Sequence, residues 1–172
     1  MSTLIVFGGL PGTGKTTIAK EVVDRTSAVY LRIDTIEQAI RSVKIAEDIG
    51  PAGYMVAYEL AKANLLLGRM VVADCVNPLA ITRSAWRSVA LSASSRIIEV
   101  ELICSDAEKH RSRAENRLSD IPGLAHPAWP SILAREYEPW SEPHEIIDTA
   151  SLSPTEAAGI ICAKIDAKPE RS

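Results

Sequence analysis

Gly9-Leu10-Pro11-Gly12-Thr13-Gly14-Lys15-Thr16 follows directly on the apolar run Leu4-Ile5-Val6-Phe7, and the order strand, glycine loop, helix sets the reading of the whole chain. The octet fits G-x-x-x-x-G-K-[ST] at every fixed position. Glycines let successive backbone N–H groups turn inward around a β-phosphate, Lys15 is placed to reach the β and γ oxygens, and the Thr16 hydroxyl is a candidate Mg²⁺ ligand. Gly9, Leu10, Pro11, Gly12, Thr13, Gly14, Lys15, Thr16 and the following Thr17 are therefore the expected contacts of a nucleotide, ATP with Mg²⁺. From Thr17 to Arg25, Ile18, Ala19, Val22 and Val23 fall on one helical face, so the loop opens a helix whose positive end favours an anion.

Working outward, 172 residues with 47% hydrophobic and 24% charged content suit one globular domain spanning 1–172. A net charge of −3 argues against broad, salt-dependent attachment to nucleic acid and leaves a local phosphate pocket as the way to hold an anionic ligand. Cys75, Cys104 and Cys162 are widely spaced and odd in number, which suggests reduced thiols, with neither a disulfide framework nor a metal site. No apolar run is long enough to span a bilayer, and the first strand begins almost at Met1. A cytoplasmic protein without a membrane partner is the expectation.

Strand-like runs at Leu4 to Phe7, Val29 to Ile33, Met70 to Ala73, Ile97 to Cys104 and Glu145 to Ile147 alternate with helical patterns. That alternation predicts an α/β fold, a three-layer sandwich with a five-stranded parallel sheet. Val56, Leu60, Ala63 and Leu67 recur at helical spacing before Gly68, a suitable stop. Ser105-Asp106-Ala107-Glu108 and Ser153-Pro154-Thr155-Glu156 both read as capping boxes. The region Asp120 to Pro143 concentrates proline and holds Trp129 and Trp140. Two readings are open for it: a lid over the substrate, spanning 118–143, or a packed surface loop with the tryptophans as anchors.

Several side chains are candidates for chemistry. Asp34 follows the second strand at its carboxyl end, where it is a candidate base for an acceptor hydroxyl and a candidate N-cap for Thr35 to Arg41, two roles that are compatible. Asp74 ends Met70-Val71-Val72-Ala73 as an acid beside the glycine loop, a candidate second metal residue with Thr16. Asn77 and Arg83 lie just beyond, as acceptor-facing candidates. Arg113 and Arg117 are four apart, hence on one helix face, and are placed to meet adenine and the migrating phosphoryl group. His110, His126 and His144 share no ligand spacing and read as packing residues.

With these pieces in place the chain resembles, over nearly its whole length, the small P-loop kinases of the nucleotide-kinase-like group. Asp34-Thr35-Ile36-Glu37-Gln38-Ala39-Ile40, and Val71-Val72-Ala73-Asp74 with Trp86-Arg87-Ser88, are similar to the chloramphenicol phosphotransferase-like and zeta-toxin-like branch, often described as AAA-type ATPases or predicted kinases. The resemblance implies an ATP-dependent phosphotransferase with Lys15, Asp34 and Arg117 as catalytic residues. It places Arg113 near adenine and Arg117 near the phosphates, like the lid pair of adenylate kinases. It also puts Thr149, in Asp148-Thr149-Ala150-Ser151, in the loop beside adenine. Polynucleotide 5′-kinases share this layout but carry a basic residue where this chain has Glu37 or Gln38. A small-molecule acceptor is therefore expected. The alternatives are a nucleoside, nucleotide or polynucleotide-end kinase, and an ATP-binding switch.

Overall fold

The computed structural model describes residues 1–44 and 48–167; the last five positions of the expected 1–172 unit lie outside the described residues. Strands β1 (Thr3–Gly8), β2 (Val29–Arg32), β3 (Val71–Asp74), β4 (Arg96–Ile103) and β5 (Glu145–Asp148) pair in parallel, in the order β2-β3-β1-β4-β5. All five predicted strands are present, with ends shifted by a residue or so. Helices cover both faces, which explains why β1 is buried throughout and its run Leu4 to Phe7 does not alternate. Ile5 and Phe7 pack under α1 (Lys15–Thr26) and α7 (Pro154–Asp166), while Leu4 and Val6 face α3 (Ala52–Leu66) and α4 (Ala80–Ser92). The described chain also contains α2 (Ile33–Ser42), α5 (Ala107–Asn116) and α6 (Trp129–Leu133). Among the described residues no helix is long and apolar enough to cross a membrane.

β3 and β4 flank β1 on opposite sides, so connections diverge above the carboxyl end of β1, where such sheets open a crevice. The glycine loop, Asp74 and the start of α2 all sit at that end.

The helix expected before Gly68 is present as α3, although Val56, Leu60, Ala63 and Leu67 face solvent and α3 buries the neighbouring stripe Gly53, Ala57, Tyr58, Ala61 and Leu65. Small residues win that face because they let the helix approach its neighbours closely, while Tyr58 meets the fully buried Trp86 edge-on at 4.6 Å. Two local expectations are corrected. Ser105 does not form a capping box: the cap of α5 is Asp106, which accepts from Lys109 N at 2.9 Å, because the Ser105 hydroxyl is drawn away to Asp148. Asp34 is not an N-cap either. α2 begins two residues early, at Ile33, which leaves Asp34 inside the first turn, its carboxylate without a hydrogen bond among the described residues. The Ser153 capping box on α7 and the positive φ of Gly68 after α3 match the expectation.

Candidate functional site

The glycine loop closes on itself before any ligand is considered. Leu10 O accepts from the Thr13 hydroxyl at 2.9 Å and from Lys15 Nζ at 2.8 Å, which folds the lysine over the loop. Gly9 has φ +132° and Gly12 φ +89°, and a side chain would collide with the Leu102 carbonyl at Gly9 and with Ala114 and His110 at Gly12. Glycine is required at both positions by conformation and by space. Lys15 is buried, and desolvation lowers its pKa from 10.5 to about 8 although Asp74 and Asp34 pull the other way; Arg117 adds to the lowering. A cation held so dry gains strongly from an arriving anion.

Asp74 and Thr16 come together as expected: the Thr16 hydroxyl donates to Asp74 Oδ2 at 2.8 Å. Tyr30 donates to the same oxygen at 2.7 Å, and burial followed by the Asp74 charge pushes the Tyr30 hydroxyl far above its ordinary value, so it remains a donor. A hydroxyl and a carboxylate at this spacing suit Mg²⁺, which keeps waters and substrate phosphates as most of its ligands. Among the described residues no cluster of three or more His, Cys, Asp or Glu offers a full protein cage. The neighbouring Arg32 was not singled out in the sequence. Burial works against its charge, but a hydrogen bond to Asp120 and the nearby Asp74 outweigh it and hold the guanidinium above its ordinary value. Hydrogen bonds from Lys20 and Arg32 hold the Asp120 carboxyl well below the usual carboxylate range.

Two cavities meet at the loop. One, of about 630 Å³, is lined by Gly12, Gly14, Thr17, Arg113, Thr149 and Leu152 among others. The other, of about 450 Å³, is lined by Asp34, Glu37, Tyr54, Leu79, His126 and Arg135 among others. Lys15, Thr16 and Arg117 line both. Asp34 makes no hydrogen bond among the described residues, so its carboxylate is available to the second cavity. Burial and then Arg117 lower the pKa of His126 at the cavity wall. Gly9, Leu10 and Thr13 line neither cavity; they shape the loop. Pro11 borders the second cavity only.

Arg113 and Arg117 do not share a helix face, because α5 ends at Asn116 and Arg117 is extended. That turn carries Arg117 out between the cavities. Arg113 is fixed by Thr149, donating to its hydroxyl at 2.9 Å and its carbonyl at 3.1 Å. The Thr149 hydroxyl in turn donates to Thr13 O at 2.9 Å, so it ties the β5 loop to the glycine loop.

The region 118–143 divides in two. Leu118 and Asp120 border the first cavity, and Leu124 to Pro127 the second. From Trp129 onward the chain is fastened to the body, as the anchor reading holds. Trp140 lies against Gly8 and stacks on His144, and its indole donates to Tyr137 at 2.9 Å. Arg83 is the clasp. It is 2% exposed and donates to the carbonyls of Asn77, Pro78, Glu138 and Pro139. Neither Arg83 nor the fully buried Asn77 faces an acceptor, which corrects that expectation. His110 is more than packing: its Nε2 donates to Pro11 O at 2.9 Å, and Trp129 meets its ring edge-on at 4.9 Å. A buried histidine on the helix after β4 carries no spacing signal for this. Cys75 is buried, and desolvation pushes its thiol up, so it is an inert core group; Cys104 and Cys162 are half-buried and free.

A five-stranded parallel sheet in this order, its central strand running into the glycine loop and its neighbour ending on an acid, defines the nucleotide-kinase-like P-loop fold. The matching sequence family is AAA_33, described as an AAA domain; its model covers residues 4–123, and the chain belongs to that family. No curated protein matches the chain. Among solved structures, a putative kinase from Chloroflexus aurantiacus aligns with TM-score 0.74 at 17% identity, covering 94% of this chain and 97% of that one. The Mycobacterium tuberculosis APS kinase CysC, in complex with AMPPNP and APS, aligns with TM-score 0.69 at 18% identity, covering 96% and 98%. Chaetomium thermophilum Kti12, in complex with ADP-AlF3, aligns with TM-score 0.69 at 23% identity, covering 95% and 100%. At these identities the likeness is one of fold.

Proposed function

We propose that the chain is an ATP-dependent phosphotransferase that moves the γ-phosphoryl group to a hydroxyl of a small molecule. The observation that carries this reading is the pair of cavities sharing Lys15, Thr16 and Arg117, with the uncommitted Asp34 in the second. A pocket for a donor alone needs no second cavity opening on the same lysine. That the APS kinase holds a nucleotide analogue together with an acceptor in a comparable fold supports two adjoining sites.

Phosphoryl transfer asks the protein chiefly for positioning and charge stabilisation. The amides of Gly12 to Thr16 and the Lys15 ammonium hold the donor phosphates, and Arg113 with Thr149 borders the base. Thr16 and Asp74 would hold Mg²⁺, which supplies charge neutralisation on the β and γ oxygens. Asp34 orients the acceptor hydroxyl and takes its proton as the new O–P bond forms and the bond from the γ-phosphorus to the β-phosphate oxygen breaks, leaving ADP. Arg117, facing both cavities, meets the charge on the group in transit. ADP release with Mg-ATP, measured across a panel of hydroxylated metabolites, antibiotics and nucleosides, tests the reading. Release stimulated by one of these compounds and lost in Asp34→Asn is the expected result. Nucleotide binding whose turnover no hydroxyl compound stimulates, and which a protein partner alters, would make it an ATP-binding switch.

A further inference from the structure

Arg32 is a buried cation to which the reaction above gives no task. Its side chain is 6% exposed, against 48% for Asp120. The guanidinium is used unevenly. Its Nη1 donates to Asp120 Oδ1 at 2.7 Å, whereas its buried Nε has no hydrogen-bond partner and stands 3.8 Å from Asp74 Oδ2. Asp120 is also bound by Lys20 Nζ at 2.7 Å, so a carboxylate from the segment after α5 is pinned to α1 and β2 at once. This segment begins at Arg117 and borders the first cavity through Leu118 and Asp120.

A buried guanidinium is strongly penalised when its partner is removed. Arg32 therefore needs an anion in every state of the protein. Two are within reach: Asp120, on a loop, and Asp74, on β3. With Asp120 gone, the anion left beside Arg32 is Asp74, whose Oδ2 is 3.8 Å from the unpartnered Nε. Were Arg32 to close on Asp74, its positive charge would compete with a divalent cation for the same carboxylate.

We propose that Arg32 is a positioning residue with two alternative anions: Asp120 when the 117–123 strap is fastened to α1 and β2, and Asp74 when it is not. Closing the strap draws the guanidinium off Asp74 and leaves that carboxylate to the metal; opening it masks the carboxylate. Metal binding and strap closure are then coupled through one side chain. The inference rests on Asp74 being the metal-side acid of the proposed site.

The test uses ADP alone, so the acceptor need not be known. The ratio of the ADP dissociation constants without and with Mg²⁺ is measured for the wild type, Asp120→Asn, Arg32→Gln and the double variant. Asp120→Asn should lower the ratio about tenfold, within the usual span of coupling between sites, by weakening Mg-ADP and sparing metal-free ADP. Adding Arg32→Gln should restore it, since the masking charge is gone. A ratio unchanged in Asp120→Asn, or lowered and not restored in the double variant, overturns the proposal. Should Arg32→Gln fail to fold, reciprocity supplies the second measurement: adding Mg²⁺ to the ADP complex must slow amide exchange across 117–123 in the wild type and not in Asp120→Asn. Equal exchange with and without Mg²⁺ overturns it as well. A wild type that binds no Mg-ADP would instead fail the nucleotide reading itself.

Discussion

Lys15 concentrates the energetics of the candidate site in one ammonium group. With its pKa lowered by burial to about 8, it loses its charge over a range in which an ordinary lysine at 10.5 keeps it. The sign for folding follows from linkage: the unfolded chain binds more protons between these values, so this group makes the fold more stable as pH rises from about 8 towards 10.5. Nucleotide affinity runs the other way, because phosphate needs the protonated form. Mg-ADP binding should weaken above pH 8 by up to about tenfold per pH unit, and Lys15→Ala should abolish both this slope and most of the thermal stabilisation by nucleotide. Calorimetric titration at pH 7 and 9.5 reads it. Asp34→Asn is the contrasting change: nucleotide binding stays near wild type while turnover falls about 10²- to 10⁴-fold, the contribution typical of a general base. Unchanged turnover would leave Asp34 without a catalytic role.

At the scale of elements, the stretch from Trp129 to His144 is held by Arg83, whose guanidinium serves four carbonyls and lies 4.6 Å from the Trp140 ring. Arg83→Met should cost about 3 kcal/mol in urea unfolding, since it strands buried acceptors, and should leave Mg-ADP affinity nearly unchanged. On α3 the buried stripe predicts opposite outcomes one residue apart. Val56→Ser, on the solvent face, should fall within about 0.5 kcal/mol of wild type, while Ala57→Leu should destabilise by about 1–3 kcal/mol through overpacking. These two elements also mark the limits of what the sequence conveys. The glycine octet and the acid-tipped strand were legible because conformation and chemistry fix residue type at each position. The face of α3 was not, since Val56, Leu60 and Leu67 give an apolar period of their own, and only packing reveals that alanines and Gly53 take the close contact. Arg83 was misread for a similar reason: an arginine after an acid-tipped strand looks the same whether it meets a ligand or four carbonyls.

For the molecule as a whole, the candidate site is a junction between two cavities, and the stretch from Arg117 to Pro127 borders both of them. Trp140 is locked against Gly8, whereas Trp129 rests on His110, one hydrogen bond from the glycine loop. Any fluorescence change on binding Mg-ATP with an acceptor should therefore disappear in Trp129→Phe and persist in Trp140→Phe. Arg117→Ala should lower kcat more than it raises the KM for ATP, because the arginine borders the shared boundary and is not needed to seat the base. Weaker ATP binding at normal turnover would reassign it to the donor. The reach of Arg117 into both cavities was hidden in the sequence, where the four-residue spacing suggests one helix face and the early end of α5 cannot be seen.

The bond from the Thr149 hydroxyl to the Thr13 carbonyl joins positions 136 residues apart, and β1 itself pairs with strands that come much later in the chain. During synthesis, at about 5–20 residues per second, β1 must wait for the later strands before its loop takes shape. Nascent chains stalled before β5 would carry the whole glycine octet and still grip nucleotide poorly. Ligand capture would then report completed folding, and ATP in the surrounding solution would act on the finished chain by mass action, as a late stabiliser with no part in guiding its early collapse.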